Sequence, residues 1–466
     1  RQSSGALSSK AILRWETSVM NRLGDNSVGR LKTRFALLCL MAALTWAVFG
    51  SVAHAATRLV PQDELRRVGL TRAWFGQVRV DDARHRLDRA VLQGDRLTVL
   101  TTAGVMQDFN ALTGEVYWTA PIGKADFPSL GPACSDKFVA LINGATLYVL
   151  DRADGRPVDI RRVSGAPGAA PALSDKYVFL PLLSGRMEAY PLMNDKQLTP
   201  WAYQSKGRAM IAPLVTPDSV VWTTEPGDLY VGNSEKLGMR FRLETGSEIL
   251  APPSYRKPLV FVGAASGEVF AMQEMTGVRQ WKYGTGYPVT RSPAPVGDQV
   301  FVTSEEPALH CIDVKTGTAL WQAPHVMQFA AVSKTRVYGV DDLGGLVVLD
   351  AAKGSVLGRI TTDHPIHSLV NDQTDRVYLI SRDGTIECLR ETDSKEPLYH
   401  NPKPPEEKKP EAGAPPAAKA VVPAEKPKPK VEPSTSDKEG KPADEKKPEK
   451  PAGDFGVKDS DNPFGN

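Results

Sequence analysis

Apolar positions in this chain come in short runs, separated by turn-forming clusters of Gly, Asp, Asn and Ser. Leu259-Val-Phe-Val262 and Gln299-Val-Phe-Val302 are examples: β-branched and aromatic residues in runs too short for a helix. Such runs predict strands. A second run follows after a Gly turn, as in Val269-Phe-Ala-Met272. A further strand is then fed by a turn of the form D/N/Q-x-x-T-G. Asn110 to Gly114 leads to Trp118, Gln273 to Gly277 leads to Trp281, and Asp313 to Gly317 leads to Trp321. Degenerate copies of the turn span Asp151 to Gly155 and Asp350 to Gly354. The bulky position returns about every 40 residues, a repeat length that points to propeller blades. Trp118, Trp201, Phe241, Trp281 and Trp321 mark it, and Ile160, Ile360 and Tyr399 fall on the same grid. Eight stations predict an all-β fold: an eight-bladed β-propeller of four-stranded antiparallel blades.

The turn has a physical rationale. Its Gly supplies a positive φ that other residues resist. Its Asp or Asn accepts hydrogen bonds from nearby backbone amides, and its Thr does so more weakly. The Trp offers a large flat surface that can cover the seam between neighbouring sheets. Gly114, Trp118, Gly277, Trp281, Gly317 and Trp321 are therefore read as structural repeat residues and not as a site. Glu244-Thr245-Gly246 looks like another such turn but follows Phe241 instead of preceding it. It aligns with Gly284-Thr285-Gly286, the connection into the next blade, and the true turn of that repeat lies around Lys236-Leu-Gly238.

The flanks differ from the repeats. Residues 1–34 form an N-terminal extension ending in a basic stretch, Arg30, Lys32 and Arg34. Met20 offers a start, which would leave residues 1–19 as upstream read-through. Residues 35–55 carry an apolar run from Phe35 to Ala53 and an A-x-A site at Ala53-His54-Ala55. This is the pattern of a secretory signal peptide, or of a membrane anchor if it is retained. Residues 56–80 are a lead-in and a strand expected to pair onto the last blade and close the ring, which removes exposed sheet edges. The propeller itself is expected over 81–400. Residues 401–466 alternate Pro, Lys, Glu and Ala, as in Lys403-Pro-Pro-Glu-Glu-Lys-Lys-Pro410, and no aromatic appears in them before Phe455. Such a segment buries too little apolar surface to offset its chain entropy, so a disordered tail is expected. Phe455 and Phe464 as anchors for a partner are the alternative.

A net charge of +3 gives no reason to expect a nucleic-acid partner. Beyond Cys39 of the apolar run, Cys134, Cys311 and Cys388 remain, an odd number that argues against a disulfide framework. Free thiols packed as small hydrophobes are expected. His325 and His364 occupy near-equivalent positions at the starts of the last two repeats, and His367 follows three residues later. Imidazoles from adjacent blades gathered at the channel mouth could bind Zn²⁺ or Cu²⁺; ordinary loop histidines are the competing reading. No nucleophile elbow, P-loop, HExxH or EF-hand pattern is present, so no catalytic or cofactor-binding residue is assigned.

The T-G-x-x-x-W repeat, the eight units and the signal segment resemble the PQQ-like β-propeller repeat family over about residues 70–400. That family includes BamB, of the outer-membrane β-barrel assembly machinery, and the quinoprotein dehydrogenases. The lead-in, the degenerate blades and the Pro/Lys tail also resemble secreted propellers of planctomycete-type bacteria. The resemblance alone leaves enzyme and scaffold open. A dehydrogenase of this kind uses a hard cation held by Glu, Asn and Asp oxygens, an Asp base and a disulfide between sequence-adjacent cysteines. Here no two cysteines are adjacent, and the connections between strands are short. The expectation is a non-enzymatic, monomeric scaffold without a cofactor. It would be exported to the periplasm or outer cell envelope, hold protein partners there, and meet the membrane only through an uncleaved N-terminal segment. A BamB-like assembly role is the leading version. The alternatives are a PQQ-dependent oxidoreductase and a small-ligand or glycan-binding propeller.

Overall fold

The computed structural model describes residues 59–401, apart from 79, 81–83, 193–197 and 362–366. The signal segment, the tail and His364 lie outside the described residues, as does the His367 side chain. Strands are numbered in chain order. Among the described residues they form eight antiparallel sheets of four strands each. Blade 1 comprises β2 (Leu87–Gln93), β3 (Arg96–Thr101), β4 (Val105–Asn110) and β5 (Val116–Pro121), paired in that order. Blades 2 to 7 repeat the order over residues 129–162, 172–204, 214–244, 254–284, 294–324 and 326–360. Blade 8 is built from both chain regions. It runs β30 (His367–Ser368), β31 (Val377–Ile380), β32 (Thr385–Glu391), then β1 (Leu70–Gln77) on the outside. Leu70 faces Glu391 and Gln77 faces Thr385 across this closure.

Sandwiching explains why the middle strands are buried along most of their length and do not alternate between buried and exposed. Successive side chains point to opposite faces, and here both faces are covered. In blade 5, Leu259 and Phe261 enter the seam toward blade 6, whereas Val260 and Val262 enter the seam toward blade 4. The core is accordingly divided into eight clusters, one per seam.

Four seams share one lock. The outer-strand Trp of one blade lies over the T-G turn of the next, and its indole N–H donates to the carbonyl of that turn's second residue. Trp74 donates to Ala111 (2.9 Å), Trp118 to Arg152 (2.9 Å), Trp281 to Val314 (2.8 Å) and Trp321 to Ala351 (2.9 Å). The turn presents no side chain because its last residue is a left-handed Gly. At Gly317 φ is 74°, and an added Cβ would stand 2.6 Å from the Trp281 ring. Asp313 ties the same turn, its Oδ1 accepting from Lys315 N at 2.9 Å and Thr316 N at 2.8 Å. Those bonds hold the Asp313 carboxyl below the ordinary carboxylate range, the Thr316 amide contributing most. Phe241 covers Gly277 in the same way, but without an N–H to donate.

Three grid positions depart from the sequence expectation: Asp159 and Gly358, and not Ile160 and Ile360, hold the register place that Trp321 takes opposite Cys311, and Tyr399 is the third. Tyr399 is not the outer-strand aromatic of blade 8; it bridges to Thr374 instead. Ring closure puts β1 in the outer place, so Trp74 fills that station. Trp201 packs on Tyr177 and Phe179 of its own blade, and its indole nitrogen is buried without a hydrogen-bond partner. The seam between blades 3 and 4 is filled by Trp222 stacked on Tyr230 at 5.3 Å, with Trp222 donating to Ser205 Oγ. Between blades 2 and 3, Ile160 is 56% exposed. A polar knot ties that seam: buried Glu188 accepts from Ser164 at 2.7 Å and from Tyr190, and pairs with Arg186 at 2.9 Å. Between blades 7 and 8, helix α1 (Gln62–Arg67) inserts Leu65, which is fully buried beside Ile360. Arg336 donates to Val68 O at 3.0 Å, and Val60 N donates to buried Glu387 at 2.9 Å, so the lead-in is fastened at two points. The decoy connection is equally clear. Thr245 Oγ1 donates to Gly227 O and Ser247 O, and Thr285 Oγ1 to the equivalent Gly267 O and Tyr287 O.

Cys311 and Cys388 are buried free thiols, each pushed up to about 12 by burial, and Cys134 is pushed up to about 11. His310 is buried in the seam between blades 5 and 6, its Nδ1 3.0 Å from the Tyr283 hydroxyl and its Nε2 without a partner. Burial holds its pKa below the ordinary imidazole value.

Two outcomes follow from these seams. Gly317→Ala should lower the unfolding free energy by about 2–4 kcal/mol, combining left-handed strain with overpacking. Gly297→Ala, where φ is 60° and nothing lies within 4 Å, should lose only the strain component. Denaturant unfolding of the two variants separates the contributions, and equal losses would remove the Trp281 contact from the account. In the second case, the unfolded chain takes up a proton on residue 310 near pH 6.5 while the folded imidazole resists until a lower pH. Stability should therefore fall as pH drops below about 6.5. His310→Gln should flatten that fall in a chemical-denaturation series. His400, also held low by burial, keeps the rest of it.

Candidate functional site

Strand alternation sorts the connections onto two faces. The turns between first and second strands, and the T-G turns between third and fourth, share one face. The turns between second and third strands, and the links from blade to blade, share the other.

The first face carries a cavity of about 690 Å³ at the axis. Its wall includes Asp95 and Asp136 from the first turns of blades 1 and 2, Asp372 from blade 8, and the rings of Tyr255 and Tyr399. Asp372 sits where burial raises its carboxyl above the ordinary value. A neighbouring cavity of about 460 Å³ lies over the seam of blades 1 and 2, with Arg96 stacked 4.3 Å from the Tyr117 ring centroid. Arg152 forms its floor. It is 4% exposed and donates to Ser135 O at 2.5 Å and Gln93 O at 2.6 Å, pinning both first turns. Beneath it, Asp108 pairs with Arg96 and accepts from Thr98 at 2.6 Å. Burial is the largest influence on Asp108 and raises its pKa despite these partners. A third cavity, about 330 Å³, spans blades 2 to 4 and is rimmed by the Lys176–Glu235 pair at 2.7 Å. That pair raises the Lys176 pKa and lowers the Glu235 pKa. The face thus offers aromatic rings, carboxylates and shallow hollows, which are features for holding a surface or a polar ligand.

Of the candidate metal ligands, His325 is an exposed loop residue with φ 64°, its Nδ1 2.9 Å from Asp342 Oδ2. His367 opens β30 opposite Ile380, and His364 lies outside the described residues. Among the described residues no three His, Cys, Asp or Glu side chains stand close enough to share an ion. Gly114, Trp118, Gly277, Trp281, Gly317 and Trp321 all sit in the seam locks or the turns beneath them. Sequence reasoning did not find the axial carboxylates. Asp95, Asp136 and Asp372 look like ordinary turn residues along the chain, and only the circular stacking brings them to one cavity.

Known proteins share this architecture. A family model for the outer membrane protein assembly factor BamB matches residues 196–329. The BamB of Burkholderia pseudomallei (strain K96243) is 23% identical over 328 residues, which cover 69% of this chain and 77% of that protein. Among solved structures, BamB from Moraxella catarrhalis superposes with a TM-score of 0.56 at 16% identity, covering 70% of this chain and 98% of that one. The C-terminal WD40 domain of Sif2 reaches a TM-score of 0.52 at 11% identity, covering 69% and 97%. These structural likenesses speak for the fold. Repeat motif, family model, sequence relative and eight-bladed ring agree: the chain is an eight-bladed β-propeller similar to BamB.

Proposed function

We propose that this protein is a non-catalytic interaction scaffold of the bacterial cell envelope, acting in outer-membrane protein assembly. The observation that carries this reading is its alignment with a BamB along 69% of its length, through the repeats themselves. The physical character of the ring supports it. Four of its seams are closed by Trp bonds to the backbone of the next blade, so the turns there are held on a rigid support. Binding residues on short loops over a rigid scaffold lose little entropy on association. A location in the periplasm or outer envelope belongs to the same proposal and rests on the signal-type segment at 35–55. The axial cavity supports a second reading. Its tyrosine rings and carboxylates are the groups that stack on sugar faces and accept hydrogen bonds from their hydroxyls.

Affinity purification of the full chain from envelope fractions, beside a version ending at 401, tests the first reading. Recovery of outer-membrane assembly components with both forms is the expected result. Their absence from both, together with saturable binding of an oligosaccharide that Tyr255→Ala abolishes, would replace the scaffold with the ligand-binding reading.

A further inference from the structure

The axial cavity is acidic and has no counter-charge in its wall. Asp95, Asp136 and Asp372 enter it from the first turns of blades 1, 2 and 8, and no Lys, Arg or His stands in the lining. Among the described residues none of these carboxylates has an ion pair. Hydrogen bonds tie the three turns to one another. Gln373, next to Asp372, accepts from Gly94 N at 2.8 Å and donates to Leu92 O at 3.1 Å. Arg152 joins Gln93 O to Ser135 O, which brings the Asp136 turn against the Asp95 turn. Arg152 is engaged by those carbonyls and Arg96 by Asp108, so neither guanidinium neutralises the cavity.

Asp372 is the most enclosed of the three. Its turn is held by buried Asn371, whose Oδ1 accepts from Gln373 N at 3.0 Å and Thr374 N at 2.9 Å. The residue keeps some exposed surface, but its carboxyl is closed in by the wall with no side-chain partner, and burial raises its pKa. Tyr399 bridges to Thr374, and His400 N donates to Gln373 O at 2.9 Å, which lays Tyr399 beside this turn. Tyr255 joins the wall from blade 5, its hydroxyl buried beside Glu274. An unpaired carboxylate in a partly enclosed site is unfavourable, and a cation that enters relieves the cost. Aromatic faces add attraction for an ammonium group. A bare metal ion does not fit, because among the described residues no three His, Cys, Asp or Glu side chains stand close enough to share one. A volume of about 690 Å³ is in the range of sites for organic molecules.

We infer that the axial cavity binds a flexible organic cation with two or more ammonium groups, one on Asp372 beside Tyr399 and another on the carboxylates of Asp95 and Asp136. Charges spaced along such a ligand answer carboxylates spaced over three turns. A free polyamine and the lysines of an extended peptide present this same chemistry. The inference does not depend on the scaffold role, and it gives the cavity an ammonium ligand in place of a sugar.

Isothermal titration of the full chain with spermidine, and with trilysine blocked at both ends, separates the two sources. Saturable binding in either arm is expected, weakened roughly tenfold or more in Asp372→Asn and about threefold in Tyr399→Leu. Asp372→Glu should recover part of the loss, since it keeps the charge. Circular dichroism melting of each variant guards against misfolding. If Asp372→Asn fails to fold, Asp95→Asn/Asp136→Asn carries the same test. Binding that is absent from both arms, unchanged in the variants, or equally strong for fully acetylated spermidine would overturn the inference. Oligosaccharide binding without spermidine binding would overturn it as well, and would leave the sugar reading standing.

Discussion

The ring stands on the contact between a flat indole and a turn that offers no side chain. A sheet of four strands has two apolar faces and cannot hide either alone, so every blade must be covered by both of its neighbours. Burial between sheets supplies attraction but little direction. Direction comes from the indole N–H, which reaches one carbonyl on the next blade, and from the left-handed Gly that lets the ring lie flat there. Because the donor belongs to one blade and the acceptor to the next, each such bond fixes a rotation between sheets. A series of fixed rotations closes a circle.

The circle is not uniform. Where the indole lock is missing, other chemistry holds the seam. Aromatic stacking serves blades 3 and 4, the Glu188 knot serves blades 2 and 3, and the lead-in helix serves blades 7 and 8. These substitutes differ in kind. Stacked rings are apolar, whereas the Glu188 knot joins a buried carboxylate to a hydroxyl, a phenol and a guanidinium. A buried charge pair of this sort is weak evidence for stability, because its desolvation cost offsets its attraction.

The repeat was legible in the sequence because its rule is local. Gly, Asp and Trp at fixed offsets report a turn that five residues complete among themselves, and eight stations follow by counting. What failed to show was whatever depends on residues far apart. Tyr399 has the right spacing for an outer-strand aromatic, yet β1 takes that place, and a distance along the chain cannot tell which strand wins the edge. Trp201 takes the place its spacing predicts, but its indole N–H finds no acceptor, which spacing does not reveal.

Closure also sets the order in which the molecule is completed. Arg72 and Glu387 are 315 residues apart, yet their ion pair lies in one blade. The strand made earliest is thus among the last to find its partner. Until β32 emerges, β1 is an unsatisfied edge able to pair with foreign strands, and long-range pairings of this kind form slowly. That interval is a period of vulnerability during folding, and protecting the early strand would matter more than protecting any blade.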